Sequence, residues 1–218
     1  MATLRLGTAE GTAHETVAES ETVLRVSEIF TSIQGEGLQS GYWCTFIRFQ
    51  GCTVGCPWCD TKYTWDFRGG RPMRLSEIWE AARTVRLVIT GGEPVQQPRR
   101  AMAALIDGLV ARGHFVQVET SGRFFAPWLA RVHWRTVSPK PPTYAVHPRL
   151  VPLIDELKYV VDETFTPERV LAERPAGCPV LLQPESNRPD RVARALEWLR
   201  EYPEWRLSVQ LHKFLDLP

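Results

Sequence analysis

The sequence predicts an α/β fold: a mostly parallel sheet with covering helices. Three observations carry that expectation. Short β-type runs alternate with longer segments of helical periodicity. Several of the β-type runs stop at a polar or glycine-rich segment, and ligands gather at such strand ends in parallel sheets. The chain has 218 residues, 44% of them apolar, which is enough for one domain with a full core.

The elements follow in chain order. Residues 1–22 are rich in Glu, Thr and Ala and hold no aromatic residue, so they are expected to form a mobile tail, leaving 23–218 as a single domain. Residues 26–33 and 45–49 read as strands. Residues 75–84 read as a helix with Ser76 as N-cap, and 86–89 as a strand ending at Thr90-Gly-Gly-Glu-Pro94. Met102, Leu105, Ile106 and Leu109 give 99–112 helical spacing, closed by Gly113. Strands are then expected at 114–118, 134–137, 157–161 and 180–182, a helix at 190–201, and a last strand at 206–211.

Composition removes several function classes. Twenty-six basic against 25 acidic residues leave a net charge of +1, which argues against coating nucleic acid through a broad basic surface. No apolar run approaches the roughly 20 residues of a membrane span. Residues 1–22 carry no signal-peptide core. Five cysteines, three of them clustered, do not look like a disulfide framework, so a reducing cytoplasm is expected. Cys44 and Cys178 stand apart and read as small apolar side chains.

Cys52, Cys56 and Cys59 are spaced C-x3-C-x2-C on a loop that follows the strand at 45–49. Structural zinc closes with four ligands and most iron–sulfur cubanes take four cysteines. Three thiols leave one iron free for a substrate, and this spacing is the signature of radical S-adenosylmethionine (SAM) enzymes. A zinc knuckle would need a fourth ligand, and the nearest downstream histidine is His114. A redox Cys-x-x-Cys pair would leave Cys52 unexplained.

Other motifs each have a bland reading beside a chemical one. Thr90-Gly-Gly-Glu-Pro94 is an ordinary tight turn, or a place where the backbone approaches a ligand and Glu93 holds an ammonium group such as that of SAM. Trp58 is core packing, or a wall beside adenine. Thr61, after Asp60, is a loop hydroxyl or an oxygen ligand for Mg2+. Ser32-Ile-Gln-Gly-Glu-Gly37 is a polar turn, or an amide and a carboxylate facing a heterocycle. Arg48, flanked by Phe46, Ile47 and Phe49, needs an internal acid or a substrate carboxylate. His212-Lys213 is a solvated pair on the last strand or part of the site.

Together these segments resemble the 7-carboxy-7-deazaguanine synthases, radical SAM enzymes of the queuosine (7-deazapurine) pathway. The matching stretches are Glu28 to Gly37, Phe46 to Cys52, Cys56 to Trp65, Val88 to Pro94, Val118 to Gly122, Thr136 to Lys140 and Trp205 to Lys213. The resemblance implies a shortened, open radical SAM partial (β/α) barrel. It implies that Cys52, Cys56 and Cys59 hold a 4Fe–4S cluster whose open iron is chelated by SAM. A 5′-deoxyadenosyl radical then removes hydrogen from C6 of 6-carboxy-5,6,7,8-tetrahydropterin. Ring contraction with loss of ammonia gives 7-carboxy-7-deazaguanine, and SAM is regenerated.

Carried over by position, Trp58, Cys59, Asp60, Gly92, Ser138, Pro139 and Lys140 become SAM contacts, with Glu93 a neighbour. Thr61 becomes the Mg2+ ligand. Ile33, Gln34, Gly35, Arg48 and Thr90 become substrate contacts, joined by Glu36, His212 and the terminal carboxylate of Pro218. The resemblance also implies a homodimer and an electron donor such as flavodoxin or ferredoxin. Two other readings share some of the motifs: a radical SAM activase acting on a partner protein, and a non-catalytic zinc-binding module.

Overall fold

The computed structural model describes residues 22–218. The tail expected at 1–22 therefore lies outside the described residues, apart from Thr22, whose carbonyl accepts the Leu75 N–H at 2.9 Å. Among the described residues nine strands form: β1 (Val23–Ile33), β2 (Trp43–Phe49), β3 (Arg71–Arg74), β4 (Arg86–Gly91), β5 (Phe115–Thr120), β6 (Trp134–Val137), β7 (Glu156–Val161), β8 (Val180–Pro184) and β9 (Arg206–Leu207). They make one sheet in the order β3-β1-β2-β4-β5-β6-β7-β8-β9. β1 runs antiparallel to β2 and β3, and every pairing from β2 to β9 is parallel.

Among the described residues four helices accompany the sheet: α1 (Leu75–Ala81), α2 (Arg99–Ala111), α3 (Pro189–Glu201) and the single turn α4 (Leu211–Phe214). The crossovers β5–β6, β6–β7 and β7–β8 carry only 3₁₀ turns, at Pro127–Arg131, Val151–Leu153 and Pro167–Arg169. β3 and β9 lie at opposite ends of the order, so the sheet is open. The fold is thus the mostly parallel α/β sheet that the sequence predicts, in the shortened, open partial-barrel form that the resemblance implies.

Alternation along the strands builds the core. Ile47 and Phe49 on β2, Leu87 and Ile89 on β4, Val116 and Val118 on β5, and Leu157, Tyr159 and Val161 on β7 all join one buried cluster. The α2 stripe of Met102, Leu105, Ile106 and Leu109 packs into the same cluster. Each of these side chains, fully removed from water, contributes about 1.5–3 kcal/mol before entropy is charged against it.

Three local expectations are corrected. The helix expected at 75–84 ends at Ala81, and its N-cap is Arg74 rather than Ser76. Glu77, not a serine, does the capping, because its Oε2 accepts the Arg74 N–H at 2.8 Å. β3 was not expected, since its sequence Arg-Pro-Met-Arg is polar and contains proline. It is an edge strand, where proline is tolerated, and only Met73 turns inward. The strand expected at 206–211 stops at Leu207. Gln210 donates its N–H to Asn187 Oδ1 at 3.1 Å, which takes the chain off the sheet, so His212 and Lys213 sit on α4 and not on a strand.

Candidate active site

The strand positions that alternate with the core face carry polar groups. Thr90 follows Ile89, Glu119 follows Val118, Ser138 follows Val137, Lys158 lies between Leu157 and Tyr159, and Gln183 follows Leu182. All five line a single cavity of about 250 Å3. The cysteine loop, the 33–36 turn and the C-terminal segment line it too. Of the residues singled out from sequence, the cavity brings together Ile33, Gln34, Gly35, Glu36, Arg48, Cys52, Cys56, Trp58, Cys59, Asp60, Thr61, Thr90, Gly92, Glu93, Ser138, Lys140, His212 and Pro218. Pro139 is buried but does not line it.

The cysteine loop lies at the C-terminal end of β2, held there by backbone bonds. Gly51 donates to Thr64 O at 2.6 Å and Cys52 to Trp65 O at 3.2 Å. Gly92 must be glycine because a Cβ there would lie 2.3 Å from the Gly51 carbonyl oxygen, so the two loops pack backbone to backbone. Cys52 Sγ accepts the Val54 N–H at 3.4 Å, and Cys59 Sγ lies 3.5 Å from Thr61 Oγ1. Burial pushes the Cys52 and Cys56 thiols up, so they are protonated when free; binding to a metal centre would displace those protons. Three thiols lining one cavity suit a cluster in which each thiolate takes a different iron.

Beside the loop, Trp58 is fixed by its indole N–H, which donates to Asp162 Oδ2 at 2.5 Å. Asp162 is itself held by Thr164 and Phe165 backbone N–H groups at 2.8 and 2.9 Å. The Lys140 ammonium lies 4.9 Å from the Trp58 ring centroid and donates to Ser138 Oγ at 2.7 Å. Burial pulls the Lys140 pKa down, and the Cys56 charge works against that. Glu93 lines the cavity and is held in place from several sides. Its carboxylate receives Val95 N–H, Thr120 Oγ1, Ser121 N–H and Ser121 Oγ, so it ties the Gly-Gly-Glu-Pro turn to the end of β5.

On the other side, Arg48 Nε donates to Glu28 Oε1 at 2.7 Å, which supplies the internal acid. Among the described residues its two terminal nitrogens have no hydrogen-bond partner, so they remain for an anion in the cavity. Gln34 Nε2 donates to Glu119 Oε1 at 3.1 Å, and Thr90 Oγ1 to Glu119 Oε2 at 3.3 Å. Glu36 pairs with Lys158 and accepts Gln210 Nε2 at 3.0 Å. Leu211 N–H donates to Gly35 O at 3.0 Å and seats α4 on the 33–36 turn. Lys213 reaches Asp60 at 3.6 Å, joining α4 to the cysteine loop.

Sequence reasoning missed Glu119, Lys158, Gln183, Glu185, Ser186 and Gln210, all of which line the cavity. For Glu119, Lys158 and Gln183 the available signal was a polar residue next to buried apolar ones within a strand; Glu185, Ser186 and Gln210 lie off the strands and carried none.

An open parallel barrel with a three-cysteine loop at its strand ends defines a radical SAM enzyme. The family described as a 4Fe–4S single cluster domain matches residues 33–126. A 7-carboxy-7-deazaguanine synthase of Aquifex aeolicus is 37% identical over 92% of this chain and 97% of its own. One of Synechocystis is 35% identical over 88% of this chain and 92% of its own. The crystal structure of QueE from Escherichia coli superposes with a TM-score of 0.74 at 28% identity, covering 92% of this chain and all of the other. The chain belongs to the 7-carboxy-7-deazaguanine synthase family.

Proposed function

We propose that this enzyme converts 6-carboxy-5,6,7,8-tetrahydropterin to 7-carboxy-7-deazaguanine with loss of ammonia, supplying a queuosine precursor. The observation that carries this reading is one cavity lined by the three loop cysteines, the free end of Arg48 and a belt of amide and carboxylate groups. Residues 23–218 act as one catalytic domain. When bound, the cluster on Cys52, Cys56 and Cys59 and its SAM supply a one-electron hydrogen abstraction at the substrate C6.

The chain's own residues bind and orient. Trp58, Cys59, Asp60, Gly92, Ser138, Pro139 and Lys140 form the SAM side, with Glu93 shaping the turn. Arg48 takes the substrate carboxylate through its terminal nitrogens. Ile33, Gln34, Gly35, Glu36 and Thr90 face the heterocycle, whose donor and acceptor edge suits an amide beside a carboxylate. His212 on α4 and the Pro218 carboxylate in the segment after it close the cavity. Thr61 offers a hydroxyl to Mg2+, a hard ion that prefers oxygen.

A reducing cytoplasm fits an oxygen-labile cluster, and no described helix is long and apolar enough to cross a membrane. The working unit is a homodimer served by an electron donor of the flavodoxin or ferredoxin type, without nucleic acid. The test is anaerobic: purified protein should carry roughly four iron and four sulfide per chain. It should release about one ammonia per carboxytetrahydropterin consumed, as the proposed ring contraction requires. A colourless zinc protein, or substrate loss without ammonia, would overturn the reading.

A further inference from the structure

Arg99 and Arg100 occupy the first turn of α2, with no acidic residue beside them. Cations there meet the positive end of the helix and weaken it, so their placement does not serve folding. Both are exposed, and among the described residues neither has an ion-pair or hydrogen-bond partner.

Arg99 lines a second hollow, of about 530 Å3, with Arg123, Phe67, Phe124, Phe125 and His147. No carboxylate lines it, and none of its residues lines the substrate cavity. The aromatic wall is fixed: Phe125 stacks on His147 at 5.4 Å and carries the Arg149 guanidinium at 4.4 Å. The nearest acid in sequence, Asp66, is turned to the Arg68 N–H at 2.9 Å. The whole chain has a net charge of +1, so this concentration of cations is local.

The hollow backs directly onto the cysteine loop. Gln96 in its wall accepts the Thr53 N–H at 2.9 Å and donates to Thr53 Oγ1 at 2.6 Å. Phe67 lies against Gly51, the residue before Cys52. Electron tunnelling falls steeply with distance, so a protein donor must seat close to the cluster while the substrate cavity stays filled.

We propose that this hollow, lined by Arg99 and Arg123 and with Arg100 next to Arg99 in the first turn of α2, is the docking surface for an acidic one-electron carrier protein. The carrier loses one electron, the cluster gains it, and no atom or proton is exchanged. The inference rests on the radical SAM reading above and adds where its reductant binds. Cationic rim and aromatic centre match an acidic partner with an exposed redox group.

The test uses the holoenzyme, a reduced flavodoxin and an acidic 2Fe–2S ferredoxin as probes, and the double variant Arg99→Glu/Arg100→Glu. Carrier binding is titrated at low and high salt, and turnover is run with either carrier or with dithionite. The double variant should bind the carrier about tenfold more weakly and lose most of the salt dependence. Its carrier-driven turnover should fall in parallel, while dithionite-driven turnover stays at the wild-type rate. Arg200→Glu, on exposed α3, should change neither. Unchanged carrier binding in the double variant, an equal loss in Arg200→Glu, or failure of both carriers to bind wild type would overturn the proposal. So would a loss of dithionite-driven turnover, which would assign the two arginines to the folded enzyme itself. A wild type that binds the carrier at this rim but makes no product with dithionite would instead refute the proposed activity and leave the surface standing.

Discussion

Lys158 on β7 is ion-paired with Glu36 in the turn after β1; the ammonium is buried and the carboxylate part-buried in the cavity wall. Glu119 Oε1 lies 3.7 Å from the same ammonium. Removing one member of a desolvated pair strands the other. Lys158→Met is therefore expected to cost about 3–5 kcal/mol in urea unfolding. Lys158→Arg, which keeps the charge, should cost clearly less. Equal midpoints for Lys158→Met and wild type would refute the role of the pair.

The same pair sets a pH dependence. Burial alone would raise the Glu36 carboxyl, but the Lys158 charge and hydrogen bonds from Lys158, Gln210 and Gln183 carry it from 4.5 down to about 2. A depressed folded value stabilises the protein above the unfolded value, and that stability is lost as pH falls from about 4.5 toward 2. Burial would lower the Lys158 ammonium, but Glu119 and Glu36 raise it above 10.5, so its contribution persists through neutral pH and fades only in strong base. Glu156 opposes Glu36 in acid, because burial raises its carboxyl. Thermal melting across the acid range should fall less steeply for Glu36→Gln than for wild type.

Gly35 is the seat of the C-terminal segment. A Cβ at this position would stand 2.4 Å from His212 Nδ1 and 2.9 Å from the His212 backbone nitrogen. The ring can turn but the backbone cannot, so Gly35→Ala should displace α4. Separate measurement of kcat and KM should give a KM for the carboxypterin raised about tenfold or more, since the lost contacts are binding contacts. Substrate-free reductive cleavage of SAM should continue near the wild-type rate.

Asp162 touches no expected ligand, yet it holds the Trp58 indole at 2.5 Å. Asp162→Ala should free the ring and raise the KM for SAM about three- to tenfold, the loss of a charge-assisted hydrogen bond that positions a binding wall. Iron content should be unchanged. A drop in iron with no change in SAM affinity would show that Asp162 supports the loop rather than the indole.

The parts of the site legible in sequence are those written in consecutive residues. Cys52 to Thr61, Thr90 to Pro94 and Ser32 to Gly37 each carry their chemistry within one turn, so spacing alone exposes them. Glu119, Lys158 and Gln183 are polar residues set among apolar neighbours on three separate strands, and only the parallel register β5–β6–β7–β8 brings them to one wall. Arg48 illustrates both halves. The sequence demanded an anion beside it without choosing between protein and substrate; the structure gives Glu28 to Nε and leaves the fork open. His212 was read on a strand because residues 206–211 look extended. Tertiary bonds from Ser208 to Leu182 and from Gln210 to Asn187 override that pattern.

The most direct measurement is mass spectrometry of the product after anaerobic turnover with 6-carboxy-5,6,7,8-tetrahydropterin, SAM, Mg2+ and a reductant. The account predicts 7-carboxy-7-deazaguanine, its ring nitrogen lost as ammonia, with SAM recovered rather than consumed in step with product. Substrate left intact beside a fully loaded cluster that cleaves SAM, or a product retaining every substrate nitrogen, would contradict it.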